Sequence, residues 1–297
     1  MGRIAIVVLV VACGRSSHAV QPTQEVTIAQ LLRLRADATI ASVDGDHATC
    51  VANFERAAAL DPRSIDDAYD AAACHALAGE IEPAFRDLVM AIDRGYHDLE
   101  LLRVDDDFER LRNEPRWADV ERRAQAKLDR YLATANVELY RIVTDDQLAR
   151  TGDFMKQDIR EFAARDAVRL KKVKAIIEAG GLKTSGDYFN AALVAQHGET
   201  PEDFQLAHTL TLKAAELDPN NQRARWLAAA AADRELVRVG KPQRFGTQST
   251  IHDGGIYVMN PVDPSVTDAE RAQWNVRALA DQTRLLKART AAMQRKR

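Results

Sequence analysis

A self-similarity at an offset of 34 residues constrains this chain most. Gly45 falls on Gly79, Cys50 on Ala84, Phe54 on Leu88 and Ala57 on Ala91. A glycine turn followed by small and large apolar residues at helical spacing is what paired antiparallel helices need. Asp44-Gly45-Asp46 and Ala78-Gly79-Glu80 read as the turns between paired helices. Alanine at 57 and 91 permits close helix crossing, while Phe54 and Leu88 fill the groove between hairpins. Pro62 then stops a helix, because proline lacks the amide donor and restricts the residue before it. Alanine-rich segments with only 14 Gly and 9 Pro agree with a mainly helical chain.

The period, with Phe54-Glu55-Arg56-Ala57 followed by Leu60-Asp61-Pro62, resembles divergent tetratricopeptide repeats over residues 30–96. Asp37 and Ala71 depart from that pattern, standing where leucine is usual. Gly95 ends the second hairpin. The stretch from Leu99 through Asp105-Asp106-Asp107-Phe108 to Pro115-Arg116-Trp117 resembles the short helices that cap bacterial tetratricopeptide arrays. The resemblance implies a solenoid with a partner-binding concave face. The three aspartates lack the alternating ligands of a calcium loop and fit negative charge at a helix start. Trp117 is expected in the core of the cap. In this register Cys50 and Cys74 lie on helices that pack together. They either pair or remain two separate buried thiols.

Met1-Gly2-Arg3 and the apolar run from Ile4 to Ala12 read as a bacterial export signal, too short to span a bilayer. Val10-Val11-Ala12-Cys13 fits a lipobox, which would make Cys13 a lipidation site and the only membrane attachment. Ser17-His18-Ala19 offers an alternative cleavage point. A net charge of −3 provides no basic footprint, which argues against a nucleic-acid partner.

In the second half, Met155 to Ala179 reads as one charged amphipathic helix. Thr184-Ser185-Gly186-Asp187 caps a buried helix, and Thr200-Pro201-Glu202-Asp203 starts another. Residues 222–239 then form a helix in which Trp226, Ala229, Ala230, Asp233, Leu236 and Val237 share one stripe. Asp233 therefore faces inward, where a carboxylate is costly unless its oxygens are bonded. His197, Arg225 and the following loop, Lys241-Pro242-Gln243-Arg244-Phe245-Gly246-Thr247-Gln248, are the donors at hand. Ser249 to Met259 reads as a short hairpin turning at Asp253-Gly254-Gly255, which could lie over a pocket. Asp268 to about Ala292 reads as one final helix.

Gln196-His197, Asp233-Arg234, the 241–248 loop and Pro261-Val262-Asp263-Pro264 together resemble the bacterial domain-of-unknown-function family 6624. The similarity runs over residues 140–290 and implies no defined activity. On the residues themselves, His197 is a candidate general base oriented by Asp233. Gln196, Arg234, Gln243, Thr247 and Gln248 are candidate ligand-binding groups. The alternative is a buried network that only pins the loop. No nucleophile motif accompanies them, and His208, His252 and Asp253 have no metal-ligand spacing. No metal or cofactor is expected.

The expectation is thus a mainly α protein: an export signal and tether (1–24), tetratricopeptide-like hairpins with a cap (25–135), and a helical domain with one short β-hairpin or irregular loop (136–297). It is expected to be exported and to bind a protein or peptide partner through the repeats. A small-molecule enzyme, such as a hydrolase using His197 and Asp233, is the alternative.

Overall fold

The computed structural model of the protein describes residues 22–151 and 158–295, with side chains from residue 28 onward. The export signal, both cleavage points, Cys13 and Met155 lie outside these residues. The described chain is mainly helical, with one two-stranded sheet.

Four helices form the first hairpins: α1 (Pro22–Asp44), α2 (His47–Leu60), α3 (Ile65–Ala78) and α4 (Ile81–Arg94). Each packs on the next. Gly45 and Gly79 turn at φ 80° and 81°, the left-handed region that glycine enters without a Cβ penalty. Ala57, Ala84, Leu88 and Ala91 are fully buried, and Phe54 nearly so. Ala71, where a repeat would carry leucine, is buried too. Cys50 and Cys74 form a disulfide between α2 and α3, with Cα atoms 5.9 Å apart.

The cap follows as α5 (Leu99–Val104), a 3-10 turn (Asp106–Phe108), α6 (Glu109–Arg112) and α7 (Trp117–Leu132). Asp105 accepts from the amide of Asp107 and the hydroxyl of Tyr69, so the acidic triplet caps and anchors its own turn. Trp117 is buried with Phe108, Leu111 and Val120 in a core that runs from α3 to Tyr140.

A second core joins α8 (Val137–Leu148), α9 (Ile159–Glu178), α10 (Ser185–Ala195), α11 (Pro201–Leu217) and α12 (Gln222–Arg238). Thr184 and Thr200 each close a capping box, with Asp187 and Asp203, at the starts of α10 and α11. Trp226, expected inside, is 43 % exposed. Small residues at 228–231 let α12 bury a broad face, so the inner stripe runs through Leu227 and Ala228 rather than Trp226.

The hairpin β1 (Ser249–His252) and β2 (Ile256–Met259) forms in the expected register. β1 is exposed along its length, and the amide of Tyr257 bonds to Thr290 at 3.0 Å. It therefore leans on the last helix. The expected single final helix is two, α13 (Asp268–Gln273) and α14 (Leu279–Arg295). Asn275 sits at φ 55°, a conformation asparagine tolerates, and breaks the helix. The break lets Trp274 and Val276 pack on Phe245.

α14 then returns to α1. Arg33 meets Asp281 at 2.5 Å, Arg284 meets Asp37 at 2.8 Å and Arg295 meets Asp44 at 3.3 Å. On the inner side of α1, Arg35 clamps Asp67 through two 2.7 Å bonds and donates to Gln222 of α12 at 2.7 Å. The chain thus closes on itself.

The disulfide joins residues 24 apart in sequence, a loop length for which cross-linking contributes about 3 kcal/mol. Replacing Cys50 and Cys74 with alanine is expected to lower stability by that order in urea denaturation. Reductant should shift the wild-type curve the same way and leave the variant unmoved.

Candidate functional site

Asp233 is fully buried, as the helix phase requires. Its Oδ1 accepts from the amides of Arg244 (2.7 Å) and Phe245 (2.9 Å). Its Oδ2 accepts from the amide (2.9 Å) and hydroxyl (2.8 Å) of Thr247. All four donors belong to the irregular loop after α12. Arg225 bonds instead to the carbonyl of Pro219.

Gln243 is equally buried. Its amide nitrogen donates to the carbonyls of Gln248 and Asn260, and its oxygen accepts from the amide of Gln248. Gln248 donates to the carbonyl of Ala230 and to Thr247 Oγ1. Asp233, Gln243 and Thr247 thus have their hydrogen-bonding capacity directed into the fold. Arg271, which helix patterning did not single out, holds the opposite side of the loop. It is buried and donates to the carbonyls of Phe245 (3.0 Å) and Val266 (2.7 Å).

His197 does not meet Asp233. Its Nδ1 lies 3.0 Å from Asp146 Oδ2. Asp146 is fully buried on α8, where Arg150 and Gln147 also donate to it. Burial pushes its carboxyl up, but the bond from His197 and the charges of His197 and Arg150 outweigh this and hold it below the usual carboxylate range. Arg234 donates to the carbonyl of Gln196 (2.6 Å) and to Gln248 Oε1 (3.1 Å). Among the described residues it pairs with no carboxylate. Burial and nearby Arg150 lower its pKa. Gln196 is buried with its Oε1 unbonded. The expected constellation is therefore two neighbouring networks: Asp233, Gln243 and Thr247 pin the loop, and His197 belongs with Asp146. Arg234, Gln196 and Gln248 lie between them. Among the described residues, no serine, threonine or cysteine side chain bonds to His197.

A separate concavity lies between the hairpins and the second core. It is a crevice of about 450 Å³. The α2–α3 turn supplies Asp61, Ser64 and Asp66, and the α4–α5 junction supplies Arg94, His97 and Asp98. α8 and α10 supply Thr144, Gln147, Phe189 and Asn190, and the start of α12 supplies Asn220, Asn221, Gln222 and Arg223. Arg223 stands 4.0 Å from Asp66 and 5.2 Å above the Phe189 ring. His97 stacks on Tyr131 at 4.0 Å, its Nδ1 held by the carbonyl of Gly95. Asn190 donates to Tyr131 Oη, leaving its amide oxygen unbonded, and the Asn220 side chain makes no bond among the described residues. Gln147 connects this wall to Asp146 and hence to His197.

The chain matches no known protein family, curated protein or solved structure.

The crevice is thus defined by its own chemistry: mixed charge, amides with spare capacity, and two aromatic faces. Such a lining can pair with the alternating N–H and C=O groups of a polar ligand. One turn along α3 from Asp66, burial pushes the Asp70 carboxyl up to about 8. Asp66 and Asp67 add to that rise, against the opposing charges of Arg35 and Arg223. None of the crevice residues carries a local motif, and only their assembly from separate helices reveals them.

Asp233→Ala is expected to cost on the order of 3–5 kcal/mol, since it strips four loop donors of their buried acceptor. His197→Ala should cost clearly less. Chemical denaturation of both variants checks the order. For Asp70, a raised folded-state pKa means stability present below the unfolded value of about 3.9 and lost as pH rises through about 8. Asp70→Asn should therefore raise the thermal midpoint at pH 8 and change it little at pH 4, in a scan across that range.

Proposed function

We propose that this protein is a peptide-binding helical-repeat protein exported to the bacterial envelope, and that the central crevice takes a short polar peptide segment. The observation that carries the reading is the lining: spare amide groups on Asn190 and Asn220 beside Phe189, Tyr131 and the oppositely charged Arg223 and Asp66. Peptide backbone offers the alternating donors and acceptors such amides complement. A volume of about 450 Å³ falls within the range of small-ligand sites, roughly 300–1,000 Å³. It suits a few residues rather than a folded domain.

Export is supported by the signal-like residues 1–12 and by the Cys50–Cys74 disulfide, a bond that persists in oxidising compartments. Lipidation at Cys13 would make the protein a membrane-anchored lipoprotein. The likeness of residues 25–135 to tetratricopeptide repeats, and of 136–297 to family 6624, belongs to the same proposal. The hydrolase alternative is less well supported, because His197 pairs with Asp146 rather than Asp233 and, among the described residues, has no nucleophile bonded to it.

A degenerate tri- and tetrapeptide library, selected on wild type and on the Phe189→Ala/Asn190→Ala double variant, tests this. Removal of one stacking face and one amide is expected to cut retention at least tenfold, about 1.4 kcal/mol or more. Equal retention by a folded variant, or none by the wild type, would sink the peptide-binding claim.

A further inference from the structure

His75 follows the bridged Cys74 on α3 and is 3 % exposed. Its two ring nitrogens have different surroundings. Nδ1 lies 2.6 Å from Glu80 Oε2, at the start of α4. Nε2 is buried and makes no hydrogen bond. It faces two carboxylates from the flanking helices, 3.4 Å from Glu55 Oε1 on α2 and 3.3 Å from Asp87 Oδ2 on α4. Asp87 is itself buried, and the three ligand atoms lie within 4.8 Å of one another. Glu55 is half exposed and opens the group to solvent. None of these residues lines the central crevice.

We propose that His75 Nε2, Glu55 and Asp87 form a binding site for a divalent transition-metal ion, with zinc the best fit. The spacing is the first argument. Tetrahedral zinc with bonds of about 2.0–2.1 Å separates its ligand atoms by about 3.3–3.4 Å. Nitrogen-to-oxygen separations of 3.3 and 3.4 Å match that edge, whereas octahedral neighbours at the same bond length stand about 2.9 Å apart. The ligand set is the second. Imidazole nitrogen with two carboxylates suits zinc, and hard magnesium or calcium prefers oxygen alone. The orientation is the third. A proton on Nδ1 donated to Glu80 leaves the Nε2 lone pair aimed between the two acids, the carboxylate–histidine arrangement that supports a metal-bound imidazole.

Arg86 is the competing cation. It donates to both oxygens of Asp87, at 2.7 and 3.1 Å, and reaches Glu55 at 3.4 Å; with its side chain 60 % exposed, it is the group the incoming ion would have to displace into solvent. Two carboxylates neutralise the ion, and three protein ligands leave a fourth position for water on the Glu55 side. The ion would tie α2, α3 and α4 together beside the disulfide.

Zinc titration calorimetry on the oxidised full chain tests the site. One ion per chain is expected, with a rise in thermal midpoint that equimolar magnesium does not produce. His75→Gln and Asp87→Asn should each weaken zinc binding at least tenfold. Glu80→Gln, which removes only the orienting carboxylate, should weaken it by roughly 10-fold or more. Zinc-edge absorption of the wild type should show one imidazole and oxygen ligands without sulfur, a readout that holds even if a variant misfolds. Sulfur ligation, wild-type affinity no better than that of His75→Gln, or an equal response to magnesium would overturn the assignment. So would an imidazolium alone holding the two acids, seen as no effect of zinc on the His75 ring resonances.

Discussion

A single buried carboxylate organises the C-terminal part of this molecule. Moving a charge out of water costs several kcal/mol unless its oxygens are bonded. Asp233 finds four donors, all from one short irregular segment. Arg271 gathers two carbonyls that the same segment turns the other way, those of Arg244 and Phe245. Beyond its single bridge from Gln243 to Val262, this irregular loop thus has donors and acceptors met by side chains of opposite charge. With the loop fixed, Phe245 presents its ring to Trp274, just after α13.

What the sequence disclosed was what depends on local spacing. Asp233 faced inward because its phase on α12 said so, and the glycine turns, capping boxes and hairpin are all decided within a few residues. Partners across long separations were not legible. Asp146 lies 51 residues from His197, and nothing in either neighbourhood distinguishes it from Asp233 as a partner. Trp226 looked internal because it shared a stripe with Ala229 and Ala230. A helix faced with alanines on several sides leaves the choice of inner face to its neighbours. The break at Asn275 was hidden for a similar reason, since 268–292 carries no proline or glycine and the interruption serves tertiary packing. The paired cysteines stand between these cases: the 34-residue register brought their helices together, but only the folded geometry joined them.

The crevice and the His75 group show why composition is a poor guide to sites. His75 sits in an alanine-rich helix that reads as core, and its companions come from the helices on either side. Phe189 and Arg223 meet where the start of α12 comes alongside α10. Arg35 holds that meeting in place by bonding Asp67 of the hairpins and Gln222 of α12 at once. The walls of the crevice are therefore set by a buried ion-pair network rather than by apolar packing across it.

The seam between α1 and α14 has a consequence for how the molecule is made. Arg33 and Asp281 are separated by 248 residues, and Asp37 and Arg284 by 247. Contacts of such high sequence separation form late, because the intervening chain must be ordered before their loop entropy is offset. The hairpins α2 to α4 can assemble while the remainder is still emerging, but α1 keeps an unfinished face until the last helix arrives. A chain shortened by that helix would leave the α1 surface uncovered, and a circular permutant joined across the seam would convert its slowest contacts into local ones.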